Sequence, residues 1–522
     1  MAEVDIEKKV NSEELYDEKY ASVAAGETVV ISEDDSSDDY SGTKEPSTGI
    51  IGKLENFARK YKMELIGIDP VPEDQRNDRN VWTPAYFWWA ANLVMPPVSI
   101  GCLGISTFGL SFWDSALVII FFNALGCLPV AFYSMFGPIY GLRQMVFSRF
   151  WFGYHGVKIF GVLNVIGCVC WTALNTIVAA SLLHSVNDGQ MPSWAGIMVV
   201  ALGTLILGMF GYKLVHAYER WSWIFTFVIL WILIARLKMS DNFAAGTMPT
   251  GPFEAGNVLS YGSVIFGGTN GWATYACDYA VYQKKDASRS KIFWSVFGSL
   301  FLSLTFTTLI GAVIMAAAVN YQPWADSYDE GSVGGLVYSI LVTNSLHGFG
   351  KFCVVFFALS CIGISVVNIY SLAFSMQIIS HYFAIIPRFV WSTIGTGVYF
   401  GISMGAYYSF NTFMSNFMSI IAYWICIYEG ISLAEHFIFR KGDMYGYDVS
   451  QINNPKAMPP GFASTFSFCV GVAGAVLGMD QVWYAGPIAV ACKGDVGWQF
   501  ALIFSFVAYV CTRPIERHFF HR

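Results

Sequence analysis

The chain has 522 residues, of which 55% are hydrophobic and 13% charged, with a formal net charge of −7. Soluble domains carry about 25% charged residues, so this composition excludes an ordinary soluble fold, and acid excess without a basic patch excludes a nucleic-acid-binding protein. Apolar runs of about 20 residues, long enough to cross a hydrocarbon core of ~30 Å as helices, recur along the chain, whereas the ~10-residue alternating segments of a β-barrel do not occur.

Residues 1–50 come first and hold much of the acid, as in "SEDDSSDDY" at 32–40. So polar and acidic a stretch is expected to be a disordered cytoplasmic tail, with its serines as phosphorylation candidates. No apolar core of a secretory signal is present in it. Residues 51–83 read as an amphipathic, membrane-proximal segment with a turn at "DPVPED". Twelve transmembrane helices are then expected at 84–108, 114–141, 157–184, 193–212, 218–237, 256–281, 293–319, 352–381, 387–406, 411–437, 462–480 and 496–512. The twelve-helix body is therefore 84–512, and 513–522 is a short cytoplasmic C-terminus. A shorter apolar stretch at 333–346 reads as a helical loop on the outer face. With the N-terminus inside, the inner loops and C-terminal end carry 16 Lys and Arg and the outer loops 4. This bias predicts that both termini are cytoplasmic.

Polar and helix-breaking residues interrupt four of these spans. In the first, "WWAANLVMPPVSIGCLG" places Pro96 and Pro97 in mid-span, where loss of a backbone donor predicts a break. In the third, "CVCWTALNTIVAA" places Trp171 and Asn175 on one helical face. An aromatic stacking surface beside an amide of fixed geometry suits a flat heterocycle. The sixth contains "FGGTNGWATYACDYAVYQKK", in which Gly267, Gly268 and Gly271 precede Trp272. Such a run in lipid is tolerated only where backbone lines a cavity, and discontinuous helices at mid-membrane commonly build transporter sites. The eighth, "ISVVNIYSLAFS", aligns Asn368, Ser371 and Ser375.

First and sixth irregular helices lie five spans apart, the arithmetic of a five-plus-five inverted repeat. Among ionisable residues inside spans, Asp278 and Glu429 are the coupling or gating candidates, with Ser371 beside them. Glu435 and His436 are expected to face water at the cytoplasmic end, and Trp82, Trp88 and Trp89 to form an interfacial anchor. The eleven cysteines are scattered and read as small buried hydrophobes. No catalytic, metal-binding or nucleotide-binding motif occurs, so neither an enzyme, a metal site nor a cofactor is expected.

Taken together, "ARKYKMELIGIDPVPEDQRND", "CWTALNTIV", "GWATYACDYAVY", "VNIYSLAFSMQ" and "AYWICIYEGISLAEHFIFRK" resemble the fungal purine–cytosine permeases of the nucleobase:cation symporter-1 family, over nearly the whole chain beyond residue 50. The resemblance implies a LeuT-type fold of twelve helices and import of a nucleobase with a cation at the plasma membrane. It implies a stacking tryptophan at Trp272 and polar contacts at Asn175 and Asn368, with Trp171 one turn before Asn175. Two stretches depart from the family pattern, Met95-Pro96-Pro97 and Ile364-Ser365-Val366-Val367. Ile362 and Gly363 stand where sodium-coupled relatives carry hydroxyls, which favours H+ over Na+.

The expected mechanism is alternating access, with the base between Trp171 and Trp272, its edge read by Asn175 and Asn368, and backbone from Gly267 to Gly271, Gly268 included, completing the contacts. A carrier of another heterocycle such as pyridoxine, allantoin or a nucleoside is the rival within the class. A nutrient receptor that binds without transporting is the rival outside it.

Overall fold

A computed structural model describes residues 69–80, 82–209 and 212–522, with positions 52 and 56. The acidic tail at 1–50 and most of the amphipathic segment lie outside the described residues.

Fourteen principal helices are α1 (Thr83–Asn92), α2 (Met95–Ser106), α3 (Phe112–Ser134), α4 (Arg149–Val186), α5 (Ser193–Met209), α6 (Tyr212–Ser240), α7 (Pro252–Asn270), α8 (Arg289–Asn320), α9 (Gln322–Leu341), α10 (His347–Ile379), α11 (Arg388–Ala406), α12 (Phe410–Leu433), α13 (Phe462–Gly478) and α14 (Gly497–Phe520). Each expected span falls on one of them, or on the α1–α2 pair, and the segment near 333–346 falls on α9 and the turn after it. Among the described residues, by length and composition seven helical stretches can cross a membrane, eight if α1 and α2 form one bent span, and α5 and α13 are shorter apolar helices. Apolar side chains such as Leu117, Phe121 and Leu128 on α3, and Phe225, Val228 and Trp231 on α6, are exposed. Such faces belong against lipid tails.

Local chemistry sets the helix ends. At the start of α3 the Ser111 hydroxyl accepts from the Asp114 N–H at 3.3 Å and the Asp114 carboxylate accepts from the Ser111 N–H at 3.3 Å, a reciprocal capping box. The first span is broken as expected, with a 55° bend between α1 and α2. The break falls at Leu93 and Val94, before the prolines rather than at them. Val94 is extended (φ −138, ψ 172), and Pro96 and Pro97 sit in the first turn of α2, where a missing N–H costs nothing.

The sixth span also changes form. α7 ends at Asn270 and the chain continues as a 3-10 helix over Gly271–Tyr279. Gly267 stays helical, and a Cβ there would collide with the Met418 carbonyl of α12. Of the three glycines expected to permit unwinding, Gly267 and Gly268 remain within the helix, and only Gly271 opens the 3-10 segment. Gly267 instead lets two backbones approach closely.

α2 crosses α8 at a second such contact. A Cβ on Gly101 would meet the Thr308 carbonyl, and one on Gly311 would meet the Val98 carbonyl. The obstacles are backbone atoms and cannot rotate away. Gly101→Val is therefore expected to cost about 3 kcal/mol and to reduce the amount of protein at the cell surface, measured by surface labelling. Gly348→Val, where a Cβ meets open space, is the control.

Among the described residues, four buried arginines gather at one end of the bundle: Arg143, Arg149, Arg388 and Arg513. At this basic end the strap 69–80 covers the exit of the sixth span. Val71 N–H donates to Gly141 O at 2.8 Å, Asp78 N–H to Tyr282 O at 3.1 Å, and Lys284 N–H to Asp78 O at 3.1 Å. Glu435 and His436, expected to face water, are 0% and 1% exposed. Glu435 accepts from Arg513 Nε at 3.0 Å and from the Tyr509 hydroxyl at 3.0 Å, with Arg440 and Arg517 on its other oxygen. A carboxylate so surrounded can be buried because its charge is neutralised in place.

At the opposite end the loop before α14 closes over α7 and α12. Asp495, 1% exposed, accepts from the Tyr423 hydroxyl, from Gln481 Nε2 at 3.1 Å and from the Asp480 N–H at 3.0 Å. Its own N–H donates to Ser260 Oγ of α7 at 2.9 Å. Burial raises the Asp495 carboxyl above its usual range, and these donors hold it down. α9 is interrupted at Ser332 (φ 52) and buries Val333, Leu336 and Val337. Among the described cysteines Cys469, Cys492 and Cys511 are exposed, against the expectation that all eleven are buried.

Candidate functional site

The two broken spans meet around one narrow cavity. Asn92, Pro96, Pro97 and Ile100 line it from the first span and Gly268, Thr269 and Trp272 from the sixth, with Asn123, Trp171 and Ile364 from α3, α4 and α10. Its volume is ≈ 20 Å³, room for one or two waters, so an aromatic ring enters only if the walls move apart.

Two indoles wall the cavity. Trp272 is held from two sides: its Nε1 donates to Asn92 Oδ1 at 3.2 Å, and its ring meets Trp88 edge-on at 5.3 Å. Asn92 is fixed in turn by donating to Trp88 O at 2.8 Å. Because α1 stops at Asn92, this amide sits on the last turn before the break, where backbone geometry aims it across at the 3-10 segment. Trp88 is 0% exposed; it packs against Trp272 behind the cavity wall and is not the interfacial anchor expected of it, although Trp82 is exposed. Trp171 rests on Gly271, where a Cβ would come within 3.1 Å of the indole nitrogen. Glycine is needed there for contact as much as for backbone freedom.

Polar groups on facing helices tie the walls together. Thr269 Oγ1 donates to Asn123 Oδ1 at 2.5 Å. Asn164, one face of α4 below Trp171, accepts from Thr274 Oγ1 at 2.7 Å and donates to Ser375 Oγ at 2.8 Å, joining the 3-10 segment to α10. Cys168 lies between them, its thiol 3.3 Å from the Tyr275 hydroxyl and beside Ser371.

Trp171, Gly268 and Trp272 thus come together in the lining, with Gly271 directly beneath Trp171. Asn175 and Asn368 are buried but lie one turn beyond the lining residues Trp171 and Ile364 of their own helices. Both polar atoms of the Asn175 amide lack a hydrogen-bond partner, an arrangement that costs free energy unless a ligand or water is to occupy it. Pro96, Pro97 and Ile364, from the two stretches that depart from the family pattern, do face the cavity.

The two acids differ. Asp278 Oδ1 accepts the Gln144 N–H at 2.7 Å, and the Asp278 carbonyl accepts Arg143 Nη1 at 2.6 Å. Asp278 therefore pins the end of the sixth span to the basic end. Glu429, on α12, is buried at 3% exposure and its Oε1 has no partner.

Sequence reasoning missed Asn92, Asn123, Thr269 and Asn164. An amide alone in an apolar run is the signal that could have found the three asparagines, since unpaired amides are costly inside a membrane.

Comparison with known proteins fits this geometry. The family model described as permeases for cytosine/purines, uracil, thiamine and allantoin matches residues 70–499. The purine-cytosine permease fcyB of Emericella nidulans is 42% identical over 90% of this chain and 92% of its own length. The purine-cytosine permease FCY2 of Saccharomyces cerevisiae is 40% identical over 99% and 98%, and the vitamin B6 transporter TPN1 of the same yeast is 30% identical over 84% of each. Among solved structures, the nucleobase-cation-symport-1 family transporter Mhp1, closed with bromovinylhydantoin bound, superposes with a TM-score of 0.66 at 14% identity, covering 87% of this chain and 97% of that one. A likeness at that identity speaks for the fold alone: the bundle has the architecture of Mhp1. With the family model over most of the chain and relatives above 40% identity along nearly their whole length, this multi-pass membrane protein belongs to the cytosine/purine permease family of transporters.

Proposed function

We propose that the chain is a secondary active transporter that imports purine bases and/or cytosine together with H+ across the plasma membrane by alternating access. The observation that carries this reading is the cavity at the junction of two interrupted helices, walled by Trp171 and Trp272 and edged by amides. Indole faces suit stacking of a flat ring, and a stacked base gains ~1–3 kcal/mol per aromatic contact. Amides supply both donors and acceptors for the ring edge. The body spans the membrane twelve times as two five-helix repeats plus two helices, with both termini cytoplasmic. Asn175 and Asn368 come into contact with the base when the walls separate, and backbone at Gly268 and Gly271 completes the pocket. Asp278 and Glu429 are the groups from which coupling is built, and H+ is favoured over Na+ because Ile362 and Gly363 offer no side-chain oxygen.

A carrier of a different ring is the second reading, favoured by the 30% identity to a vitamin B6 transporter and by Pro96, Pro97 and Ile364 in the lining. Uptake of labelled cytosine, adenine and hypoxanthine by cells lacking their own permeases, with and without a protonophore, separates the readings. Saturable, protonophore-sensitive accumulation is expected. Surface protein without uptake, together with uptake of pyridoxine, would select the second reading; binding without internal label would select a receptor. In the same assay Asn175→Ala and Asn368→Ala are each expected to lose uptake about fivefold or more, from ~1–3 kcal/mol of ligand hydrogen bonding. Wild-type uptake by both would remove them from the site.

A further inference from the structure

Behind the cavity, on the far face of the turn that lines it, two buried side chains confront each other without a satisfied hydrogen bond. Asn270 is the last residue of α7 and is 0% exposed. Neither its Nδ2 nor its Oδ1 has a partner of good geometry, and neither does Glu429 Oε1, yet the Asn270 amide is turned toward the Glu429 carboxyl. The Cys426 thiol lies 3.8 Å from Glu429 Oε2. The remaining titratable groups around it are neutral hydroxyls: Tyr133 from α3, bonded to Ser432 at 2.5 Å, and Tyr428 on its own helix. No ion pair to Glu429 occurs among the described residues.

We infer that Glu429 is the group that takes up the co-transported proton, and that Asn270 is the positioning residue that transmits its protonation state to the substrate cavity. This deepens the transport reading and rests on it. A carboxylate can only accept hydrogen bonds; a carboxylic acid must also donate one. An amide offers a donor at one end and an acceptor at the other, so half a turn of the Asn270 side chain exchanges one arrangement for the other. A buried carboxyl without a cation has a strong electrostatic reason to carry its proton while sealed from water. Asp278, whose carboxylate accepts a backbone N–H beside Arg143, has no such vacancy.

The link to the cavity is covalent and short. Asn270 stands between Thr269, bonded to Asn123, and Gly271, on which Trp171 rests, with Trp272 next. An amide that turns to meet a protonated Glu429 shifts the turn holding both indoles. Protonation and base binding thus favour the same geometry of one segment, which is what coupling requires.

The test uses the full chain in cells lacking their own permeases. Each pH unit across the membrane drives about tenfold accumulation per proton. Glu429→Gln, fixed in a protonated-like form, is expected to keep exchange of labelled base across the membrane and to lose accumulation and protonophore sensitivity. Asn270→Ala is expected to shift the pH profile of uptake and lower the accumulation ratio, with partial rescue by Asn270→Gln. Accumulation by Glu429→Gln at the wild-type ratio, still collapsed by a protonophore, would overturn the inference while leaving the transport reading intact. Absence of uptake by the wild-type chain would defeat the transport reading itself.

If Glu429→Gln fails to reach the surface, the purified wild-type protein is treated with a hydrophobic carbodiimide, which adds to protonated buried carboxyls, and the adducts are mapped by mass spectrometry. Adducts at Glu429 that fade as pH rises support the assignment; adducts at Asp278 with none at Glu429 overturn it.

Discussion

Trp272→Ala is expected to abolish high-affinity uptake while some protein still reaches the membrane. The indole is 7% exposed, donates to Asn92 Oδ1 and packs edge-on against Trp88 at 5.3 Å and Tyr275 at 5.8 Å. Truncation removes a cavity wall, leaves Asn92 Oδ1 without its donor and opens a void; buried Trp→Ala changes cost ~3–5 kcal/mol. The loss divides between folding and ligand binding, and a stacking share of ~1–3 kcal/mol corresponds to a roughly five- to hundredfold weaker apparent affinity. Trp272→Phe keeps one aromatic ring but loses the N–H and half of the fused ring system, so it is expected to fall between wild type and alanine. Concentration-dependent uptake normalised to surface-labelled protein measures both. An alanine variant with an affinity within about twofold of wild type would show that no ligand rests on this ring.

The second large effect is structural. Glu435→Ala is expected to destabilise the protein by about 3–5 kcal/mol, because it leaves Arg513 buried without its principal counter-charge. Arg513 is 1% exposed and bridges Glu435 at 3.0 Å and Glu516 at 2.8 Å. Glu516 in turn accepts the N–H groups of Gly461, Phe462 and Ala463 at 3.1, 2.7 and 3.3 Å, closing the start of α13. Loss of one carboxylate thus loosens α12, α13 and α14 together. Thermal midpoints of the detergent-purified protein check this, and Glu435→Ala with Arg513→Ala should cost less than the sum of the single changes. Equal midpoints for wild type and Glu435→Ala would mean that Glu516 suffices as the counter-charge of Arg513.

The helical character of the chain was legible because apolar runs of membrane length are dictated by the thickness of the bilayer. Both interruptions were legible too, since proline and clustered glycine act locally. Their details were not. Whether Pro96 breaks a helix or starts one depends on two residues of extended backbone before it, and whether Gly267 unwinds or packs depends on Met418, which is 151 positions away. The same limit hid the burial of Glu435, whose partner Arg513 lies 78 residues on. Trp171 could be chosen because an aromatic ring beside an amide already suggests a ring-shaped ligand, and Trp272 because the family resemblance implied a stacking ring there. Asn92 and Asn123 could not be ranked, because their partners, Trp272 and Thr269, sit 180 and 146 residues off in sequence. Asp278 and Glu429 looked equivalent as acids in spans and were separated only by what each carboxyl touches.

The loop around Asp495 sets an order of events during synthesis. Its bonds to Ser260 and Ser263 close separations of 235 and 232 residues. A ribosome adding ~5–20 residues per second needs on the order of ten to fifty seconds to cover that distance. For that interval α7, with its glycines and its unpaired Asn270, exists without the clasp at its middle, and it is sealed only when the last helix begins to emerge. Until then the seam between the sixth span and the last loop stays open, and a chain cut short before residue 495 lacks the group that closes it.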